Sequence, residues 1–424
     1  MIRLLYSCFL YILSPLIVIY LYLIRGHKNP AYRLFFLERF ALSLKSLPKN
    51  AVIFHCASVG EVLAATPLIK AYIKRHPNDN IIITCNTPTG RQQATDSLGQ
   101  YTNICYLPFD FWHCSKRFIK TLQPKLLIIL ETELWLNLLA QANKQTCPTV
   151  IINARLSEKS LKGYQRVSPL AKRLMKSIDH LACHNEEDAN RFITLGLARQ
   201  KVTVTGSIKF DIQIDSDVQL NANALKAQLA DRLVWVAGST HPKEHEKVLF
   251  AHQQLLKKNP NALLIIAPRH PEQFQFVENI LNQQAFSFTK RSEALEPTKQ
   301  VLLADTLGEL KMLYGCADIA YIGGSLIERG GHNPLEAAAF AVGVLTGPST
   351  YNFSHIYPDL LSNKGALQID HEQQLSEVLI KLLDDFDTRT LLGKNAHACL
   401  QKNQGAIPKS LDLLSSLRTP EELT

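Results

Sequence analysis

Glu61 stands in VIFHCASVGEVLAA (52–65), where an apolar β-like run (Val52, Ile53, Phe54) turns through Ala57, Ser58, Val59 and Gly60 into a helical pattern. A strand–turn–helix of this kind usually presents N-terminal helix N–H groups to a phosphate. Here it delivers a carboxylate, which repels phosphate and can accept a proton. An exposed Glu at a helix start is ordinarily a capping acid, so position alone does not make Glu61 a base. A second acidic pair, Glu131 and Glu133 in ILETELW, closes another apolar run. Two residues apart on an extended backbone, both would face one side.

Three loops in the second half carry a different chemistry. Ser239, Thr240 and His241 end one apolar run, with Pro242 placed to open a helix. Arg269 and His270 end another, followed by Pro271. The richest stretch is YIGGSLIERGGHNPLEAAA, in which Gly323, Gly324, Ser325, Gly330 and Gly331 lead to Asn333 as a helix cap and Glu336 in the first turn. The free N–H groups of that helix start suit one phosphate, and Glu336 suits ribose hydroxyls as an acceptor. These residues form an expected nucleotide site in which His241, His270 and the other histidines have no metal-ligand spacing. No D-x-D motif and no metal-ligand spacing stands in the right place, so no metal or cofactor is expected.

The elements that position these loops alternate. Strands are expected at AVIFHC, NIIITCN, ICYLPFD, KLLIILETE, TVIINARL, HLACHN and VTVTGS, separated by helical patterns. A second series runs LVWVAGST, ALLIIAPRH, SFTKR, QVLLADT, IAYIGGS and GVLTGP. Short strands without alternation, separated by helices, predict parallel sheets covered on both faces. The fold class is therefore α/β, two Rossmann-like doubly wound domains whose strand ends line a cleft. The expected boundaries are an anchor at 1–30, an N-terminal acceptor domain at 31–210 and a polar, structurally quiet linker at 211–230. A C-terminal nucleotide-sugar domain at 231–400 follows, then a helical tail at 401–424 folding back on the N-terminal domain. Neither domain has a G-x-G-x-x-G fingerprint after its first strand or a P-loop lysine motif, which argues against dehydrogenases and nucleotide triphosphatases.

The chain has 424 residues and a net charge of +9. Residues 1–210 hold 27 Lys+Arg against 12 Asp+Glu, leaving 19 against 25 beyond, so the positive half needs its own explanation. Nucleic acid is not favoured as the partner, because aromatic-interleaved basic patches are missing. An anionic membrane or acidic lipid fits better. Leu4 to Ile24 is 21 residues without a charge, about the length that crosses a bilayer core. Tyr6, Tyr11, Tyr20 and Tyr22 suit interfaces, Pro15 would kink the helix, and Arg25, Lys28, Arg33 and Arg39 hold the following chain in the cytoplasm. The flanking charge and the lack of a small-x-small site argue against a cleaved signal peptide. Spanning and lying in one leaflet both remain open. Nine scattered cysteines without a C-x-x-C pair read as reduced thiols.

The motifs SVGE, TPTG, ETELW, NARLS, NEED, VTGSIKFD, PRHPE and GGSLIERGGHNPLEAA occur in this order. With the N-terminal anchor, and from about residue 35 to beyond 400, the chain resembles the 3-deoxy-D-manno-octulosonic acid (Kdo) transferases of lipopolysaccharide synthesis. The resemblance implies an inverting GT-B glycosyltransferase using CMP-Kdo and a lipid A precursor (lipid IVA) at the cytoplasmic face of the inner membrane. It implies Glu61 as the general base. Ser58, Gly60, Arg91, Glu131, Glu133, Arg155 and Lys209 would meet the acceptor or Kdo, the arginine forks suiting its carboxylate or the acceptor phosphates. Ser239, Thr240, Arg269, His270, Gly323, Gly324, Ser325, Gly330, Gly331, Asn333 and Glu336 would hold CMP. One departure is visible: the family's ETELWP continues here with Leu136. Two alternatives are a GT-B transferase using another nucleotide sugar on a membrane glycolipid, and a non-catalytic nucleotide-sugar-binding membrane protein.

Overall fold

The computed structural model describes residues 2–229 and 232–417. Met1, the end of the expected linker and residues 418–424 of the expected tail lie outside the described residues. The chain divides into two compact units, residues 1–211 with 404–424, and residues 212–403.

The first unit is built on β1 (Val52–His55), β2 (Ile81–Cys85), β3 (Asn103–Tyr106), β4 (Leu126–Leu130), β5 (Thr149–Ala154), β6 (His180–Cys183) and β7 (Val202–Val204). They form one parallel sheet in the order β3-β2-β1-β4-β5-β6-β7. Every residue of β1, β2, β4 and β5 is buried, which is why these runs are mostly apolar on both faces. The order reverses between β1 and β4, so the chain leaves these neighbours in opposite directions and opens a crevice at their carboxyl ends. Glu61 follows β1 and the Glu131 loop follows β4. The helix Ala406–Ser416 also belongs to this unit, lying on the helix Val59–Arg75 through Arg75–Asp412 at 2.7 Å. Asp211 accepts from the N–H groups of Gly405 (2.5 Å) and Ile407.

The N-terminal helix Ile2–Ile19 continues as a π-helical turn, Tyr20–Arg25. By length and composition it could cross a membrane. Two tyrosines expected at a bilayer interface are instead engaged with the unit. Tyr6 donates to Asp110 at 2.9 Å, and Tyr11 stacks on Phe111 and His113.

The second unit contains β8 (Val234–Thr240), β9 (Leu263–Pro268), β10 (Phe288–Lys290), β11 (Val301–Leu303), β12 (Ile319–Ile322), β13 (Gly343–Thr346) and β14 (Ala366–Gln368). This sheet is also parallel, ordered β10-β11-β9-β8-β12-β13-β14, with its reversal between β8 and β12. The loops after β8 and β12 are the Ser239 and Gly323 loops.

Three sequence expectations change here. The stretch expected to be a quiet linker contains a 13-residue helix, Ser216–Gln228, seated by buried Ala222 and Leu225. Its apolar stripe is made mostly of alanine and so is faint in the sequence. Pro242 does not open a helix: β8 runs to Thr240, a turn follows, and the helix begins at His245. Asn333 does cap through its side chain, Oδ1 accepting from Leu335 N at 3.1 Å, but the helix it precedes is only five residues long.

Candidate functional site

In the first unit Ser58 is the N-cap of the helix Val59–Arg75, its Oγ accepting from Glu61 N at 3.4 Å. Glu61 replies with both oxygens, accepting from Ser58 Oγ at 3.0 Å and Ala57 N at 2.8 Å. This is a variant of the capping box in which the acid reaches one residue past the cap to Ala57 N, an ordinary use of an acid at this position. The side chain is nonetheless pushed up to a pKa of about 7. Burial is the largest cause; the Ala57 N–H opposes it, and the charges of Glu131 and Glu133 reinforce it. A carboxylate balanced near neutrality both accepts and releases a proton readily. Gly60 beside it is exposed, and a Cβ there would meet only Ser58 Oγ, at 3.9 Å. The fold does not require glycine at that point, and its absence of side chain leaves the approach to Glu61 open.

Glu131 and Glu133 reach the same place by a route the sequence hid. Glu131 lies in the left-handed region (φ 57°), not on extended backbone, so the two do not share a strand face. The chain turns sharply after β4. Glu131 then pairs with Lys209 Nζ at 3.2 Å, and Glu133 accepts from Trp135 Nε1 at 3.1 Å. Burial raises the Glu133 pKa. Lys209 sits on a 3₁₀ turn, Ile208–Phe210, fixed by Asn153 Oδ1 accepting from Ile208 N at 3.1 Å. Leu136, standing where the family has proline, is buried and opens the helix Leu136–Lys144.

The two arginines belong to this unit as well. Arg91 donates to Glu38 at 2.5 Å and lies 4.0 Å from the centroid of the Phe35 ring. Glu38 in turn accepts from Tyr106 N at 2.9 Å. One nitrogen of this fork is thus tied to internal structure. Arg155 is half-buried, its charge acting on Asp188, while its carbonyl accepts from Thr132 Oγ1 at 2.5 Å. It ties the NARLS loop to the ETELW loop.

In the second unit, Arg269 and His270 stand exposed at the end of β9, with Arg269 N donating to Thr240 O at 2.9 Å. Thr240 Oγ1 is buried without a hydrogen-bond partner among the described residues. Ser239 adopts φ 55°. Gly323 must be glycine, because a Cβ would collide with the Ser239 carbonyl. Gly330 has φ +82° and faces the Tyr351 ring, so it too excludes a side chain. Glu336 is half-buried, and desolvation raises its pKa against the pull of Lys311, Asn333 and Arg269.

In the glycine-rich loop the N–H groups of Gly324 (2.7 Å), Ser325 and Leu326 (3.1 Å each) all donate to the carboxylate of Glu244. His241 N (3.1 Å) and Tyr321 OH (2.9 Å) complete the set. Ser325 Oγ is likewise consumed, donating to Ile322 O at 2.5 Å and accepting from Gly347 N at 2.7 Å. Glu244 is fully buried and holds the ends of β8 and β12 together at the sheet's reversal. Sequence reasoning missed it, although an acid four residues after Thr240, beside a proline-containing turn, was a visible signal.

Of a histidine group in this unit, His241 and His270 were named from the sequence, while His332 and the contacts among the three were not. His241 Nε2 and His332 Nε2 lie 2.8 Å apart and share a proton, and the His270 ring is 5.6 Å from that of His241. Burial, with the neighbouring imidazoles and Arg269, lowers His241 and His332 to about 4. At neutral pH they are uncharged hydrogen-bonding groups. Among the described residues no cluster of three or more His, Cys, Asp or Glu is placed to hold a metal ion.

Residues 35–212 match the family model of 3-deoxy-D-manno-octulosonic-acid transferase (kdotransferase), and residues 219–398 match glycosyl transferases group 1. The chain is 38% identical to the 3-deoxy-D-manno-octulosonic acid transferase of Haemophilus influenzae, covering 97% of this chain and 98% of that protein. It belongs to the Kdo transferase family. A second relative, the enzyme of the same name from Bordetella pertussis, is 30% identical across 95% of this chain and 96% of its own. The solved structure of a putative UDP-N-acetylglucosamine 2-epimerase from Listeria monocytogenes has a TM-score of 0.57 at 12% identity, covering 89% and 98% of the two chains. That likeness is one of fold alone, the GT-B pairing of two Rossmann-like units. This Kdo transferase is a glycosyltransferase in which the Glu61 loop stands at the sheet reversal of one unit and the glycine-rich loop at that of the other, with Arg269 at the end of the adjoining β9.

Proposed function

We propose that this Kdo transferase moves Kdo from CMP-Kdo, with inversion, to a hydroxyl of a lipid A precursor (lipid IVA) at the cytoplasmic face of the inner membrane. The observation that carries the mechanism is Glu61: it is hydrogen-bonded in place, raised to about 7, and beside an open glycine. As the acceptor oxygen bonds to the anomeric carbon, its proton passes to Glu61. The bond from that carbon to the phosphate oxygen breaks, and its electron pair leaves with CMP. The Lys209–Glu131 pair offers an ammonium for a carboxylate or phosphate close to the base.

In the second unit Arg269 meets the charge growing on the departing phosphate. Glu336 accepts from ribose hydroxyls, and Thr240 Oγ1 finds a partner in the ligand. The neutral His241–His332 pair donates without competing for the phosphate. The departing group carries a single phosphate, so one arginine with neutral donors is a matched counterpart and no metal is assigned.

Mass spectrometry of the lipid made by purified enzyme from CMP-Kdo and tetra-acylated precursor, with EDTA present, tests the reading. The expected product carries added Kdo, and CMP appears only when the lipid is supplied. Loss of transfer in EDTA, restored by a divalent ion, would contradict the metal-free assignment. Displacement of a bound CMP probe by UDP at equal concentration would contradict the donor.

A further inference from the structure

The N-terminal helix has its polarity inside out. Its sheltered positions, among them Arg3, Tyr6, Ser7, Leu10, Ser14 and Leu21, recur every three or four residues along its whole length. Several are polar and bonded to the first unit. Arg3 Nε donates to Asn137 Oδ1 at 2.9 Å, Ser7 Oγ to the same oxygen at 3.3 Å, and Tyr6 OH to buried Asp110 at 2.9 Å. Tyr11 OH lies 2.5 Å from His113 Nδ1. At the far end Arg33 Nε donates to Tyr22 O at 3.1 Å, and the Tyr22 and Phe36 rings meet edge to face. The opposite face is exposed and carries Leu4, Leu5, Phe9, Ile12, Leu16 and Ile19, with no charged residue between positions 4 and 24. A helix on a water-facing surface shows the reverse pattern.

These ties extend from residue 3 to residue 22, roughly 28 Å of helix at 1.5 Å per residue, or about the thickness of a bilayer's hydrocarbon core. If the helix crossed the bilayer while docked, Asp110, Asn137, His113 and Arg33 would enter hydrocarbon with it. If it crossed undocked, Arg3, Asp110 and Asn137 would lose these partners, and Arg3 would have to reach the far side. Both arrangements strand polar groups. Arg25, Lys28 and Arg33 are exposed at the helix's end, and exposed Leu34, Phe35 and Leu37 extend the apolar surface onto the body of the unit.

We infer that the N-terminal helix does not span the membrane but lies flat in one leaflet, its polar face fixed to the first unit and its apolar face in lipid, with the basic cluster on anionic headgroups. The inference rests on the membrane attachment proposed above and settles its form. It holds the Glu61 loop at a fixed height above the lipid, because the same unit carries both.

The test places a cysteine pair at Tyr11→Cys and His113→Cys in a Cys8→Ser background, expressed at full length. Membranes are isolated and treated with a short bis-maleimide. An N-terminal epitope on the unsubstituted chain is exposed in parallel to protease added outside intact spheroplasts. The expected result is membrane-bound protein that cross-links internally, in membranes as in detergent, and an epitope that resists protease. Membrane-bound protein that cross-links only in detergent, or an epitope lost to external protease, overturns the flat arrangement and leaves attachment standing. Protein recovered in the soluble fraction, and failing to float with anionic vesicles, overturns the attachment itself.

Discussion

Glu61→Gln is expected to lower the transfer rate by about 10² to 10⁴, the range general bases contribute, while CMP affinity stays unchanged. The amide preserves the capping box, because its oxygen can still accept from Ala57 N and its nitrogen can donate to Ser58 Oγ. The fold therefore survives the change. Stability should in fact rise at neutral and alkaline pH. Glu61 has a folded pKa of about 7 against an ordinary 4.5. Its protonated form is favoured in the native state, so the stability linked to it is complete below pH 4.5 and is lost as pH rises through 7. Above that pH the native enzyme forgoes up to about 3 kcal/mol, which the amide recovers in part. Thermal unfolding at pH 8 and at pH 4.5 reads this directly: the variant gains at the higher pH and gains little at the lower. A variant that transfers Kdo at near-normal rate would remove Glu61 from the mechanism, whatever its stability.

Glu244→Ala is the second large effect, and it acts without touching substrate. The substitution leaves five donors facing a cavity: the N–H groups of His241, Gly324, Ser325 and Leu326 and the Tyr321 hydroxyl. Orphaning buried donors costs about 1–3 kcal/mol each and not additively, so a loss of several kcal/mol in the second unit is expected. Glu244→Gln keeps the volume and one good acceptor but turns an NH₂ toward N–H donors. It should fold, with CMP affinity lowered roughly 10- to 100-fold, or about 1.4–2.7 kcal/mol. Because Glu244 positions the loop and exchanges no proton with substrate, the shape of the pH–rate profile should not move. A folded Glu244→Gln enzyme that binds CMP normally would show that the loop keeps its form without this carboxylate.

The two parallel sheets were legible because β1, β4, β8 and β12 are buried on both faces and read as unbroken apolar runs ending in polar loops. That is also why Glu61, Arg269 and the glycine-rich loop could be placed at strand ends. Edge elements were not legible: β14 is three residues long with one exposed, and the helix Ser216–Gln228 buries little beyond Ala222 and Leu225. Side-chain partners were the hardest to foresee. Nothing local says that Arg91 will meet Glu38, 53 residues away, or that the N–H groups at 324–326 will converge on Glu244. Glu131 and Glu133 do approach Glu61, but through a left-handed turn that spacing does not reveal.

The most direct measurement of the central claim is the pH dependence of kcat/KM for Kdo transfer. A base near 7 predicts a rate that falls tenfold per unit below pH 7, levels off above it, and loses this inflection in Glu61→Gln. A wild-type profile that stays level from pH 8 down to about 5, the range of an unperturbed glutamate, would contradict a raised Glu61 as the proton acceptor.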